Sequence, residues 1–431
     1  MRQRLLSAAN YEALRKMPAS FDVIVIGAGP AGSVTALRLA RQGLRVALLD
    51  RSRFDTPRIG ESLPPAIHPL LSDLSLWPEF EAIAPIPSFG TRSIWGGATP
   101  EAHSHMITPY RFGWHIDRLR FDRMLVAAAE RVGADLRLNT AVESCNWHDA
   151  EHCWLLHITQ GSKLRASFVI DATGRSAWFS RRQRSECVAF DSLVGIAAHV
   201  DRPAAGSGSS DSCFTQVETT QHGWWYTAPI AADRFIAVLM TDADLVKPGA
   251  LHTPAGWLDA LRCAPFTMGR LSWPSAGGAF SPADPLGPIC PVNNVPQPKV
   301  HSAVSQRLMR TDLVGQWLAV GDAALAVDPV SGSGICRALR TAEDAAKTVI
   351  KVLSGEEVDP VEAIERYEQR RNAECTEYLL ERASYYGAEQ RWQRHAFWAR
   401  RCAMGIASAG GVVAAAPAES VPVRSGSQPL A

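Results

Sequence analysis

Three glycine-bearing segments have the residue types and spacing to hold a nucleotide. Gly27-Ala28-Gly29-Pro30-Ala31-Gly32 follows an apolar β-branched run (22–26) and opens a stretch of helical spacing (31–41), the context that a dinucleotide fingerprint requires. Gly27 suits the tight turn, Gly29 the close approach of a pyrophosphate and Gly32 the packing of helix on strand, while the helix N-terminus stabilises phosphate charge. Asp50 ends the next strand, 23 residues after Gly27, where a carboxylate can accept hydrogen bonds from both ribose hydroxyls. Downstream, Trp317-Leu318-Ala319-Val320-Gly321-Asp322 is a strand entering a Gly-Asp turn, and an acid there can hold a sugar or ribityl hydroxyl. Asp328-Pro329-Val330-Ser331-Gly332-Ser333-Gly334 adds a loop whose amides can stabilise negative charge on a reduced ring. Taken singly, the last two are also turns before a capped helix, and these residues leave the identity of the dinucleotide open.

Glu61, His68 and His115 are the candidates for proton transfer, in segments expected near the ligand. Spacing assigns none of them a role, because a buried His or Glu is also an ordinary hydrogen-bond partner. Trp224, Trp225 and Tyr226 form an aromatic run in an alternating strand; at least one ring is expected in the core, and the others can line a substrate cavity. The nine cysteines, from Cys145 to Cys402, show no metal-ligand spacing. No metal site and no structural disulfide are therefore expected, and the chain is expected in a reducing, cytoplasmic compartment.

These residues need a sheet to carry them. The pattern strand (22–26), helix (31–41), strand (45–49) is a βαβ unit, followed by a helix at 117–132, strands at 135–138, 153–158 and 168–171, a later strand at 316–320 and helical spacing after Gly334. Between about 188 and 300 the texture changes to alternating segments broken by Pro, Gly and Ser. The fold expected is α/β: a Rossmann-like, discontinuous nucleotide-binding domain made of 20–85, 112–187 and 303–360, and an inserted antiparallel β-sheet substrate domain made of 86–111 and 188–302. C-terminal helices are expected at 361–405 and flexible ends at 1–19 and 410–431. The arginine-rich stretch 364–401 reads as an amphipathic helix pair packed on the nucleotide-binding domain, in preference to a docking surface for an acidic protein.

Composition narrows the partners. The 431 residues carry 44 Lys and Arg against 43 Asp and Glu, which leaves no basic footprint for nucleic acid or for an anionic membrane. The first twenty residues have no apolar secretion core, and 402–418 falls short of a membrane helix in length and hydropathy. Thirteen Trp against seven Tyr is an unusual balance.

The glycine segments, Asp171-Ala172-Thr173-Gly174-Arg175 and the order in which they occur resemble the FAD-dependent aromatic hydroxylases, with the related flavin-dependent halogenases and geranylgeranyl reductases, over roughly residues 20–360. The resemblance implies FAD as the held nucleotide, with Gly27, Gly29, Gly32 and Asp50 on its adenosine half and Asp322 on the ribityl chain. It places Pro329, Gly332 and Gly334 by the flavin ring. Asp117-Arg118-Leu119-Arg120-Phe121-Asp122 resembles the family helix whose arginine reaches FAD, which gives Arg118, and Arg58 in Arg58-Ile59-Gly60-Glu61-Ser62-Leu63-Pro64-Pro65 is taken as a further cofactor contact.

That last segment and Gly223-Trp224-Trp225-Tyr226-Thr227-Ala228-Pro229 look halogenase-like, with two departures. Tryptophan halogenases carry WxWxIP where this chain has Trp-Trp-Tyr-Thr-Ala-Pro, and they use a lysine after the GE motif, whereas no lysine occurs between Lys16 and Lys163. Arg, always protonated, is no substitute for a reactive amine. The texture is most similar to the flavoprotein peptidyl-tryptophan hydroxylases of tryptophylquinone biogenesis. The function this implies is hydroxylation of an aromatic ring through a flavin C4a-hydroperoxide, on a tryptophan within a protein or peptide, with molecular oxygen as co-substrate and NAD(P)H as transient reductant. Glu61 and His115 are the catalytic candidates, and Trp224, Trp225 and Tyr226 the substrate candidates. Alternatives are a hydroxylase of a small aromatic metabolite, a flavin-dependent halogenase, a non-catalytic FAD-containing assembly factor and an isoprenoid reductase.

Overall fold

The computed structural model describes residues 19–201, 213–231, 234–271, 297–310, 316–355 and 359–408. Its first sheet has seven strands in the order Asp135–Arg137, Val46–Leu49, Ala19–Ile26, Lys163–Asp171, Cys153–Ile158, Val142–His148, with Trp317–Ala319 pairing parallel to the end of Lys163–Asp171. The strand pairs nearest the fingerprint are parallel, and the Cys153–Ile158 and Val142–His148 pair is antiparallel. Parallel strands are buried on both faces, which is why Val23 to Ile26 and Val46 to Leu49 are apolar without alternation. The fingerprint helix Pro30–Arg41 starts with proline, whose fixed φ and missing N–H suit the first helical position. It packs with helices Arg118–Arg131 and Gly334–Ser354 over one face. Trp154, Phe179 and Trp317 fill the other face.

A second seven-stranded sheet runs Lys299–Ser302, Leu193–Asp201, Arg234–Asp242, Gly223–Ala231, Phe214–Thr220, Gly90–Ile94, Glu101–Ser104. It differs from the purely antiparallel sheet expected, because Phe214–Thr220 and Gly90–Ile94 pair in parallel. The long chain separation between those two strands permits the crossover that a parallel pair needs. One face of this sheet packs on short helices around Trp257, and the other meets Tyr386, Phe397 and Trp398. A three-stranded sheet, Ser62–Leu63, Gly113–His115 and Ile86–Ser88, brings together segments from both sides of the boundary expected near residue 85.

The C-terminal pattern resolves into a pair of helices, Pro360–Ala388 and Ala396–Ser408, as its spacing implies. Glu389 breaks it: its carboxylate accepts from Thr219, from the Gly96 amide and from Arg391, which fixes the turn against the second sheet. The expected flexible ends lie outside the described residues, except for Ala19. Among the described residues no helix is long and apolar enough to cross a membrane, and no group of three or more His, Cys, Asp or Glu could hold a metal ion.

Candidate active site

The nucleotide cradle is built from two loops far apart in sequence. Gly27 has φ +104, and a Cβ there would sit 2.3 Å from the Ala172 carbonyl oxygen; one on Gly32 would sit 1.9 Å from the Gly27 oxygen. These two glycines are packing requirements. Gly29, Gly332 and Gly334 have no neighbouring atom within 4 Å of a Cβ position, so their backbone faces open space. Asp50 accepts from the Ala28 amide at 2.8 Å and from the Ser52 amide at 2.7 Å, which ties its carboxylate to the fingerprint turn. Gly321 approaches the fingerprint helix so closely that a Cβ would lie 2.8 Å from Ala31 Cβ. Asp322 beside it pairs with Arg175 at 2.7 Å and keeps a third of its side chain exposed. Packed glycines behind and open glycines in front form a cradle of backbone amides beside a helix N-terminus, which fits the pyrophosphate of FAD.

Arg58 and Arg118 converge on one carboxylate that sequence reasoning passed over. Asp122, fully buried, accepts from Arg58 Nη1 at 2.8 Å and from Arg118 Nε and Nη2 at 3.2 Å. Arg118 also donates to the Ile59 carbonyl at 2.6 Å, and Arg58 to Ser52 Oγ at 2.9 Å while covering the Phe54 ring. The i,i+4 spacing of Arg118 and Asp122 was the available signal.

Glu61 is 2% exposed. Its Oε2 accepts from the Gly60 amide at 3.0 Å and its Oε1 has no partner. Burial pushes the carboxyl up to about 7, against the opposing pull of the Gly60 amide and the Arg118 charge. Beside it, His115 Nε2 lies 3.0 Å from Thr215 Oγ1, Thr215 Oγ1 lies 2.9 Å from Ser62 Oγ, and Ser62 Oγ lies 2.9 Å from Tyr226 Oη. Burial, with the nearby Arg270 charge, holds the His115 imidazole down to about 3, so it is neutral and its Nδ1 is unpartnered. Burial raises the Tyr226 hydroxyl further above its ordinary value. The structure thus links His115, Thr215, Ser62 and Tyr226 in one chain of polar contacts, and Glu61, next to Ser62 in sequence and near enough for its charge to act on Tyr226, adjoins it. No sequence signal pointed to Thr215, which is 100 residues from His115. His68 lies elsewhere, packed between Trp77 and Tyr110.

Strand alternation separates the three aromatic substrate candidates. Tyr226 and Trp224 share a face, and Trp225 points to the opposite one, where its ring meets Trp257 at 5.0 Å, edge to face. Trp225 is therefore placed away from the Glu61 cluster, contrary to the grouping of all three. Trp224 is 1% exposed and its indole N–H donates to Tyr386 Oη at 3.0 Å, so it presents no free surface to a ligand.

Comparison with known proteins places this arrangement. The tryptophan halogenase family model matches residues 91–411, and that of the FAD dependent oxidoreductases matches 22–57. A putative FAD-dependent oxidoreductase of Marinomonas mediterranea, LodB, is 29% identical over 397 residues, covering 89% of this chain and 97% of that protein. Among solved structures, the myxobacterial chondrochloren halogenase CndH is similar with a TM-score of 0.75 and 26% identity, covering 89% of this chain and 86% of its own. The peptidyl tryptophan dihydroxylase QhpG, described as essential for tryptophylquinone cofactor biogenesis, is similar in fold with a TM-score of 0.65 at 24% identity, over 89% of this chain and 79% of its own. With the family match spanning residues 91–411, this chain belongs to the tryptophan halogenase family of FAD-dependent enzymes.

Proposed function

We propose that this protein is an FAD-dependent monooxygenase that hydroxylates an aromatic ring, and that the ring is a tryptophan side chain within a protein or peptide. The observation that carries the reading is the composition of the Glu61 cluster: a buried carboxyl held near 7, a neutral imidazole and three hydroxyls, with no lysine among these five residues. Halogen transfer in this family depends on a lysine, and the sequence has none between Lys16 and Lys163. Bound and reduced FAD supplies oxygen activation. The net reaction converts an aromatic C–H, O2, NAD(P)H and a proton to the phenolic product, water and NAD(P)+. A proton must reach the oxygen atom that leaves as water, and Glu61, protonated below about 7, is a group able to deliver it. Ser62, Thr215 and Tyr226 can orient the acceptor ring and exclude bulk water. Gly29, Gly332, Gly334, Asp50, Asp322, Arg58 and Arg118 would hold the cofactor.

The peptidyl substrate is supported by the fold likeness to QhpG and by the GWWYTAP and IGESLPP segments. A halogenase is the second reading, favoured by the extent of the family match and by the likeness to CndH. One experiment separates them: the FAD-loaded protein is incubated with NAD(P)H, labelled oxygen, chloride and bromide, and either a tryptophan-containing peptide or free indoles. Gain of labelled oxygen on the peptide supports the proposal. Oxygen on the free indoles alone moves the substrate to a small metabolite, and halide incorporation overturns the hydroxylase reading.

A further inference from the structure

The loop that begins at Asp328 is held from outside the nucleotide-binding sheet. Asp328 is fully buried; its Oδ1 accepts from the Val330 amide at 3.0 Å, which shapes the turn Pro329–Ser331 and leads into Gly332 at φ +61. Its Oδ2 accepts from the Tyr386 hydroxyl at 2.7 Å. That hydroxyl has one proton, already given to Asp328, so it meets Trp224 as an acceptor and takes the indole N–H at 3.0 Å. The order of donors is therefore fixed along the chain Trp224 N–H, Tyr386 O–H, Asp328 carboxylate, Val330 N–H. Trp224 and Tyr386 are each 1% exposed, so water cannot stand in for either partner. Helix Pro360–Ala388 adds Tyr378, whose hydroxyl accepts from the Asp328 amide at 3.0 Å, and Arg382, 3.7 Å from the same carboxylate. Two residues along the same strand and on the same face as Trp224 stands Tyr226, with its hydroxyl in the Glu61 cluster.

We infer that Trp224, on the second sheet, and Tyr386, on helix Pro360–Ala388, are positioning residues, which set the Asp328–Gly334 loop against bound FAD. The strand Gly223–Ala231 is then tied to the Glu61 cluster directly, through Tyr226, and to the loop at one remove, through Trp224 and Tyr386. The inference rests on FAD lying at this loop and is independent of whether oxygen or halide is transferred.

The test uses the FAD-loaded protein with Y386F, W224F and their double variant. W398F serves as control, because Trp398 loses an indole donor, to the Thr220 carbonyl, in the same aromatic cluster without touching Asp328. FAD affinity by titration and the visible circular dichroism of the bound flavin are the readouts. Y386F and W224F are expected to weaken FAD binding about three- to tenfold, the scale of one hydrogen bond in a charged chain, and to change the flavin dichroism in the same way. The double variant should resemble Y386F alone, since the two share one path, and W398F should keep both readouts within about twofold of the parent. Should Y386F not accumulate as folded protein, W224F against W398F carries the same comparison. Unchanged affinity and dichroism in the folded variants, or equal changes in W398F, overturn the inference.

Discussion

The cradle at Gly27–Gly32 and Gly321–Gly334 is made of backbone, whereas the Glu61 cluster is made of side chains drawn from four separate segments of chain. In the cradle a glycine either has a neighbour that leaves no room for a Cβ, as at Gly27 and Gly32, or faces open space where the proposed cofactor would come close, as at Gly29. In the cluster, burial of polar groups sets the chemistry: a carboxyl is raised and an imidazole is lowered toward neutral forms because charge is expensive there. The contrast separates residues that keep a site in shape from residues proposed to react in it.

The sharpest way to break that comparison lies within the cradle. Gly32→Ala should cost about 4 kcal/mol or more, because the new Cβ meets the Gly27 oxygen at 1.9 Å; Gly29→Ala should leave the melting temperature unchanged while lowering FAD affinity. Equal loss of stability in both would show that the two glycines are not doing different jobs. Next in size is Asp122→Ala, which leaves two guanidiniums beside an apolar gap; about 3 kcal/mol is expected in urea unfolding, toward the lower end for a broken pair because Arg58 reaches water.

Glu61→Gln tests the side-chain half. The folded carboxyl binds its proton up to about 7 and the unfolded one only to its ordinary value of 4.5, so stability falls as pH rises between those values and stays low above them. The penalty is about 3 kcal/mol, and the glutamine variant should lack it. His115 works in the opposite direction, its folded form losing stability as pH falls from 6.5 toward 3, so the difference between parent and E61Q isolates Glu61. The smallest effect is Tyr226→Phe, which removes a hydrogen bond to Ser62 and should cost about 1 kcal/mol, with a larger effect on turnover than on stability.

The cradle was legible in the sequence because backbone demands show up as glycines at fixed offsets beside strands. The strand 153–158 and the fingerprint helix followed from apolar patterning for the same local reason. The parallel pairing of Gly90–Ile94 with Phe214–Thr220 could not be read, since register between distant strands leaves no local mark. Thr215 was invisible for the same reason, and Tyr386 sat in a helix expected to pack on the nucleotide-binding domain, where nothing in the pattern placed its hydroxyl against Asp328. Trp225 shows a different limit: alternation was evident, but which face held the site was not.

The central claim, that Glu61 delivers a proton in an amine-free site, is tested most directly by the pH dependence of product formation in parent and E61Q, with labelled-oxygen incorporation into a tryptophan peptide as the assay. The parent rate should fall as pH rises through about 7, and the E61Q rate should be lower by about a hundredfold and flat across that range. An E61Q profile with the same limb near 7 and an unreduced rate would contradict it.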